Sequence, residues 1–209
     1  MTDTTDASFP PTLNLDGYTP LPPGKIATIV THLEITAQPS ALREPPDSGL
    51  TLERVDAPDT GWYRDLFRRI GEPWLWYSRL RMDEAALRGV IADPEVAVHA
   101  LRRDGADVGL MELDFRTPND VELAFFGVVP ELVGSGAGRF LMNRALALAF
   151  ARRPRRVHVY TCTHDHPAAL GFYIKAGFRA IGRSIEIADD PRLSGLLSRE
   201  AAPHVPIID

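Results

Sequence analysis

One stretch of the sequence limits the possible folds more than any other. Residues 121–129 form a nearly continuous apolar run, and such strands usually lie buried between two layers. The run stops at Pro130, and Gly134, Gly136 and Gly138 then begin an amphipathic helix. Glycines at a helix start let the backbone approach a ligand, and the free N–H groups there favour an anion. This strand, turn and helix predict a pyrophosphate site.

Two better-known phosphate loops do not fit the spacing of these glycines. A Walker A loop needs a lysine after the last glycine of G-x-x-x-x-G, and neither that spacing nor the lysine is present. The dinucleotide fingerprint reads G-x-G-x-x-G, whereas residues 134–138 read G-x-G-x-G. A plain glycine-rich turn without a ligand stays open as the alternative.

The rest of the sequence predicts one domain with an extension before it. The chain has 209 residues, which fits one ordinary domain, and eight of its 18 prolines fall within the first 46 residues. Because proline disfavours helix, we expect a flexible tail over residues 1–24 and a linker over 37–47. The β-branched residues within 26–36 predict an extra strand between them. Residues 1–48 thus form the extension and 49–188 the domain. Residues 189–209 form a tail with a short helix near 193–198.

Hydrophobic patterns within the domain alternate between strand and helix. Strands are predicted over residues 50–55, 96–102, 106–115, 121–129, 156–162 and 178–187, and helices over 59–70, 83–92, 136–151 and 167–176. The predicted fold class is therefore α/β, with a mixed sheet in a single domain.

A second motif lies in residues 164–178, which read His-Asp-His-Pro-Ala-Ala-Leu-Gly-Phe-Tyr-Ile-Lys-Ala-Gly-Phe. Ala169 and Tyr173 share one face of the predicted helix, so the tyrosine points into the protein. Gly177 stands where the end of a helix needs a left-handed residue. From these features alone, Tyr173 is a core aromatic residue whose hydroxyl finds a partner.

The two motifs together resemble the GCN5-related N-acetyltransferase (GNAT) superfamily. Its acetyl-coenzyme A loop reads Arg/Gln-x-x-Gly-x-Gly/Ala, and its later motif reads Asn-x-x-Ala-x-x-x-Tyr-x-x-x-Gly-Phe. Tyr173, Gly177 and Phe178 match the later motif. Val133 stands where the family has Arg or Gln, and His166 stands where it has Asn. The resemblance extends over residues 49–188.

The resemblance implies that acetyl-coenzyme A is the cosubstrate. It assigns the pyrophosphate to the loop residues Gly134, Ser135, Gly136, Ala137, Gly138 and Arg139. It assigns the pantetheine arm to the backbone of Phe126, Gly127 and Val128, beside which the arm would pair as an added β-element. His166 is assigned to the cofactor site by its place in the later motif.

Acetyl transfer to an amine requires two proton transfers. An alkyl-ammonium has a pKa of about 10 and needs a base, and the leaving thiolate benefits from an acid. By resemblance, Tyr173 is the acid, and an amide within residues 126–128 stabilises the oxyanion. Glu122 is the favoured base: simple alternation places it on the same face as Ala124 and Phe126, and histone-acetylating relatives have a catalytic Glu there. Its alternative is a solvated residue at the start of the strand.

The acceptor site is predicted at an aromatic cluster between the first two helices. By resemblance, Trp74, Trp76 and Tyr77 border the acceptor cleft, and the alternative is that they close the core over the sheet. The predicted function is transfer of an acetyl group to a primary amine of a small molecule, directly and in a ternary complex. A protein or peptide N-acetyltransferase and a noncatalytic acyl-coenzyme A sensor are the alternatives.

Composition argues against several other classes of protein. The net charge of −5 argues against broad binding to nucleic acid, and no apolar run is long enough for a membrane helix. Cys162 is the only cysteine, and His164 and His166 form too small a cluster for a metal site, so no metal is expected. With no signal sequence evident, we expect a cytoplasmic protein, and the resemblance adds a homodimer as an expectation.

Overall fold

The computed structural model describes residues 13–44 and 48–209 and has a seven-stranded mixed sheet. The strands are β1 Lys25–Ile35, β2 Leu50–Arg54, β3 Val96–Arg103, β4 Ala106–Asp114, β5 Asp120–Val128, β6 Arg156–Cys162 and β7 Arg179–Asp189. The helices are α1 Thr60–Gly71, α2 Ser78–Arg81, α3 Glu84–Ile91, α4 Ala137–Ala151 and α5 Ala169–Lys175, with 3₁₀ turns at Glu72–Trp74 and Pro130–Leu132. The predicted α/β fold class is confirmed, and α2 is a helix that the sequence pattern does not predict.

Aspartate caps explain where two of the helices begin. The Asp59 carboxylate accepts a hydrogen bond from the Trp62 N–H at 2.9 Å before α1. The Asp83 carboxylate accepts one from the Ala86 N–H at 2.8 Å before α3. Each side chain satisfies an N–H group that has no acceptor within its helix, so the chain turns into a helix at these positions.

The sheet opens between β5 and β6. Its strand order is β2-β3-β4-β5-β6-β1-β7, and β5–β6 is its parallel pair. That pair is joined only over Asp120–Glu122 of β5 and Arg156–His158 of β6 among the described residues. Beyond this point β5 continues along β4 and β6 continues along β1. The later half of β5 therefore has a free backbone edge that faces a wedge in the sheet.

The N-terminal extension supplies a strand to the interior of the sheet. β1 pairs with β6 through residues 30–35 and with β7 through residues 25–34, antiparallel in both cases. The sheet is therefore not confined to residues 49–188, because β7 is joined to the rest of the described sheet through β1. Of the predicted flexible tail and linker, residues 1–12 and 45–47 lie outside the described residues.

The C-terminal segment is tied to the start of β1. The N–H of Gly24 donates to the carbonyl of Ile208 at 2.7 Å, and the N–H of Asp190 donates to the carbonyl of Gly24 at 2.9 Å. The buried Arg192 guanidinium pairs with Asp190 at 2.6 Å and donates to the carbonyl of Val205 at 2.8 Å. Residues 193–197 form turns and bends here rather than the expected short helix, because their N–H groups donate to the carbonyls of residues 190–192 and not in a helical pattern.

A bulge in β5 changes which side chains share a face. Glu112 of β4 lies opposite Phe125, and the next residue of β4 lies opposite Leu123, so Ala124 is an extra residue in β5. Residues directly opposite each other point to the same face of a sheet. Glu122 therefore shares a face with Phe125, and Phe126 points to the other face. The expectation that Glu122 and Phe126 lie on one face is wrong, because simple alternation does not allow for the bulge.

The two faces of β5 pack against different helices. On one face, Phe125 contacts Phe67 of α1, with ring centroids 4.8 Å apart. On the other face, Phe126 stacks on Phe172 of α5, with centroids 5.8 Å apart. α4 begins beside α5, since a Cβ added to Gly138 would lie 3.7 Å from the Phe172 ring. The wedge between β5 and β6 thus lies between these two helical layers.

A buried ion pair stabilises the packing of α1 and α2 on the sheet. The Glu112 side chain is fully buried, and it pairs with the Arg79 guanidinium of α2. The Tyr63 hydroxyl of α1 donates to the other carboxylate oxygen at 2.5 Å. Because a buried carboxylate without partners is costly, these contacts fix α1 and α2 against β4.

Candidate active site

The glycine turn presents backbone N–H groups at the start of α4. Gly134 and Gly136 have φ angles of +82° and +97°, a conformation that glycine adopts without strain. The Ser135 hydroxyl donates to the carbonyl of Leu132 at 2.7 Å and accepts from the Ala137 N–H at 3.3 Å. The next N–H groups of the first helical turn have no acceptor within the helix. They and the helix dipole make this turn suitable for an anion.

A cavity of about 380 Å³ runs from the glycine turn along β5 to α5. Eight of the predicted cofactor residues line it: Phe126, Gly127, Val128, Gly134, Gly136, Gly138, Arg139 and His166. Ser135 and Ala137 do not line it, because the serine hydroxyl is used within the turn and Ala137 is buried beneath it. Val133, which replaces the family's Arg or Gln, lines the cavity with an apolar side chain.

Tyr173 borders the same cavity from α5. Its side chain is 7% exposed and packs against the rings of Phe126 and Phe178, with centroids 6.2 and 5.8 Å away. Burial, together with the negative charge of Asp165, raises the pKa of the Tyr173 hydroxyl well above its ordinary value. The hydroxyl therefore keeps its proton throughout the physiological pH range and can donate it.

His166 closes the turn before α5. Its Nδ1 accepts a hydrogen bond from the Ala168 N–H at 3.0 Å, so the proton of the neutral ring lies on Nε2. The ring meets Trp74 edge-on, with centroids 5.0 Å apart. His166 thus fixes the local turn with one ring nitrogen while its other side borders the cavity.

A second cavity of about 250 Å³ adjoins the first at residues 74–78, which connect α1 to α2. Both cavities are lined by Trp74, Trp76, Phe125, Tyr160 and Asp165, so the two spaces meet at these side chains. The three predicted acceptor residues, Trp74, Trp76 and Tyr77, all line the second cavity. This arrangement can bring a group bound in one cavity against a group bound in the other.

The aromatic wall of the second cavity is held by hydrogen bonds. The Trp76 Nε1–H donates to the Asp165 carboxylate at 3.2 Å, and the Tyr77 hydroxyl donates to the Glu186 carboxylate at 2.9 Å. Burial and the charge of Glu186 raise the pKa of Tyr77 to about 12. Gly71 is required beneath this wall, because a Cβ there would lie 2.3 Å from Trp76.

Asp165 is a site residue that sequence reasoning missed. Its carboxylate lies where the two cavities meet and accepts from the Thr161 hydroxyl at 2.7 Å and the Cys162 N–H at 2.8 Å, besides Trp76. The sequence pattern assigns it only to a loop that precedes a helix. Cys162 also lines the second cavity, and burial raises the pKa of its thiol. From its place in a strand, the sequence predicts only a packing role for this residue.

The structure also places part of β1 in the second cavity. Ile26, Thr28 and Val30 line it, and Glu186 and Ala188 of the neighbouring β7 complete that wall. The only signal for these residues in the sequence is the β-branched character of residues 26–36. That pattern predicts a strand but gives no position for it in the sheet.

Glu122, the predicted base, lies on the face of β5 that carries Phe125 but lines neither cavity. Its side chain is 37% exposed, and its carboxylate lies 3.9 Å from the Nε2 atom of His158. Burial, and then the charge of Asp114, raises the pKa of Glu122 above its ordinary value. The same strand face continues to Phe125, whose ring borders both cavities.

The described residues contain neither a metal-binding cluster nor a membrane-spanning helix. Residues 13–44 and 48–209 contain no cluster of three or more His, Cys, Asp or Glu side chains that could bind a metal ion. Over the same residues, no helix combines the length and the apolar character that spanning a membrane requires.

Comparison with known proteins identifies the class that this fold and site define. Residues 60–178, more than half of the chain, match the model of the Acetyltransferase (GNAT) family. The chain therefore belongs to the GNAT acetyltransferase family, as its two motifs predict.

The individual proteins that resemble this chain share a third or less of their aligned residues with it. The chain is 32% identical over 101 residues to an uncharacterized N-acetyltransferase of Mycobacterium tuberculosis and to its Mycobacterium bovis counterpart. This match covers 48% of the chain and 64% of each relative. Among solved structures, a GCN5-related N-acetyltransferase from Sphaerobacter thermophilus aligns with a TM-score of 0.59 at 17% identity, covering 78% of this chain and 52% of that one. An aminoglycoside acetyltransferase from a soil metagenome aligns with a TM-score of 0.52 at 17% identity, covering 62% and 88%.

Proposed function

We propose that the protein is an acetyl-coenzyme A-dependent N-acetyltransferase that acts on a primary amine of a small molecule. The observation that supports this most is the meeting of two cavities at Trp76, Phe125 and Asp165. One cavity begins at a helix start suited to a diphosphate, and the other has aromatic and acidic walls. The acetyl group and the amine would meet at that junction in a ternary complex, without an acetylated enzyme.

The cosubstrate would be bound largely by backbone groups. The N–H groups of Gly138 and Arg139 would donate to the diphosphate at the start of α4. The free edge of β5 at Phe126, Gly127 and Val128 would pair with the amides of the pantetheine arm. Because backbone groups do this work, the replacement of the family's Arg or Gln by Val133 is compatible with binding.

We propose Tyr173 as the general acid. As the thioester bond breaks, its hydroxyl would donate a proton to the leaving thiolate, whose simple counterpart has a pKa of about 8.5. The hydroxyl is protonated at neutral pH and therefore carries a proton for the thiolate. A proton lost by the attacking amine would restore the tyrosine, so that the reaction yields an amide, a free thiol and one proton.

We propose Glu122 as the general base. Its raised pKa strengthens it as a proton acceptor, and it lies on the β5 face that carries Phe125 toward the acceptor cavity. Because the Glu122 side chain lines neither cavity, we propose that a water molecule transfers the ammonium proton to it. An amide of residues 126–128 would stabilise the oxyanion of the acetyl group.

The decisive experiment measures release of free thiol from acetyl-coenzyme A in the presence of a panel of primary amines. We expect thiol release that depends on the amine, together with formation of the acetylated product. Tight binding of acetyl-coenzyme A without amine-dependent thiol release would identify a noncatalytic sensor instead. Acetylation of peptide N-termini, with no small amine accepted, would support the peptide alternative.

The homodimer and the cytoplasmic location stay predictions from the sequence. The edge strand β7 supports the homodimer, because it exposes the apolar side chains of Ile181, Ile185 and Ile187. Such an edge can pair with a second strand. Sedimentation of the purified chain tests this expectation.

A further inference from the structure

The charges around the acceptor cavity are strongly one-sided. Among the described residues that line it, Asp165 and Glu186 are acidic and none is Lys or Arg. His164 is the one lining residue that could become cationic, and burial lowers its pKa, so the ring is neutral at physiological pH. Two guanidinium groups approach its aromatic walls without lining the cavity: Arg79 lies 4.9 Å from the centre of the Phe125 ring, and Arg81 lies 5.4 Å from the centre of the Tyr77 ring. Arg79 is paired with the buried Glu112.

We infer that the acceptor is a small amine with an apolar or aromatic body and no carboxylate or phosphate group. This inference rests on the proposed function and names the substrate class of the same site. It excludes free amino acids as good acceptors, although they carry primary amines.

Both carboxylates can attract an ammonium group. The Asp165 carboxylate lies at the junction, oriented by three donors: Thr161, Cys162 and Trp76. Glu186 is exposed on β7 and bonded to the Tyr77 hydroxyl. The donors to these two carboxylates are neutral, and among the described residues neither carboxylate forms an ion pair with a Lys or Arg side chain, so no ion pair offsets either charge. An ammonium ion near them gains attraction, whereas an anionic group loses hydration and meets like charge.

The remaining walls favour an apolar body. Five lining side chains are aromatic: Trp74, Trp76, Tyr77, Phe125 and Tyr160. Their faces can contact both a hydrocarbon body and a cation. The volume of about 250 Å³ lies at or below the lower end of ordinary ligand sites, so the acceptor is small.

The test compares pairs of acceptors that differ by one carboxylate. These are 2-phenylethylamine against phenylalanine and tryptamine against tryptophan, with kcat/KM measured from acetylated product and Kd measured by calorimetry on protein loaded with coenzyme A. We expect each amine to exceed its amino acid by about tenfold or more in kcat/KM and in affinity.

A charge variant tests whether the cavity wall causes the preference. Glu186→Gln should lower the ratio of kcat/KM between each amine and its amino acid by about threefold or more, because one uncompensated charge is removed from the cavity wall. Glu200→Gln removes the same charge from an exposed position in the C-terminal segment and should leave the preference unchanged.

Three outcomes would overturn the inference. Amino acids accepted as well as the amines would refute the substrate class while the proposed function stands. Failure of both amines to bind would also refute it. If Glu186→Gln and Glu200→Gln changed the ratio of kcat/KM between amine and amino acid equally, the charge of the cavity wall would not be the cause of the preference. The proposed function fails separately, if no primary amine of the wider panel causes release of thiol from acetyl-coenzyme A.

Discussion

A glutamate at Gly136 should prevent tight binding of acetyl-coenzyme A. Gly136 has a φ of +97° and caps α4 with its backbone, and it borders the larger cavity. Any other residue at this φ costs about 1–2 kcal/mol of backbone strain. The new carboxylate would also lie beside the diphosphate, and two unit charges at about 4 Å repel by about 1 kcal/mol in water and about 4 kcal/mol near a protein surface.

These magnitudes set the expected result. Repulsion of about 1.4 kcal/mol already weakens binding tenfold, so we expect the Kd of Gly136→Glu to rise about tenfold or more in calorimetry. The loss should shrink as salt is added, because exposed charges are screened. Urea unfolding of the same variant should show only the loss of stability that backbone strain explains.

Gly105→Glu is the matched control. Gly105 lies in the turn between β3 and β4 with a φ of +78°, and a Cβ there would meet nothing within 4 Å. It introduces the same charge at a similar backbone conformation but does not line either cavity. We expect acetyl-coenzyme A affinity to be unchanged. An unchanged affinity for Gly136→Glu, or an equal loss for both variants, would refute the anion site at the turn.

Other predictions concern catalysis and stability. Tyr173→Phe should lower kcat by about a hundredfold or more while the Kd of acetyl-coenzyme A stays unchanged, and a wild-type rate would refute the acid assignment. Activity should rise with pH as Glu122 loses its proton, at a pH above the usual range of glutamate because its pKa is raised, and Glu122→Gln should abolish that rise in the pH–rate profile. Arg79→Met should cost about 3–5 kcal/mol in urea unfolding, because it leaves Glu112 buried and unpaired. Arg88→Met, which removes an exposed helix pair, should cost about 0.5 kcal/mol, and equal losses would contradict this account.

Local pattern predicts most of the elements, because each is encoded within its own residues. The sequence predicts a strand over residues 156–162, and β6 occupies Arg156–Cys162. The sequence predicts a helix over residues 136–151, and helix α4 begins one residue later, at Ala137. α2 is missed because Ser78–Arg81 is too short for a helical repeat to be recognised.

The local sequence pattern does not predict features that depend on contacts between residues far apart in the chain. The bulge at Ala124 follows from the register of β4 against β5, so alternation within β5 alone gives the wrong face for Glu122. Asp165 and Glu186 become neighbours of one cavity only when β6 and β7 flank β1. The glycine turn is the opposite case, because its backbone geometry is set by the glycines themselves.

The position of β1 has a consequence for how the chain is made and folds. β1 is synthesised early, yet Lys25 pairs with Asp189 and Ile35 pairs with Val157. Neither neighbour can join this strand until β6 and β7 have been translated, because β6 begins only at Arg156 and β7 only at Arg179. Pairings between such distant residues slow folding and leave strand edges open to other chains meanwhile. A nascent chain of this protein thus exposes both edges of β1 to other chains until β6 and β7 have been made.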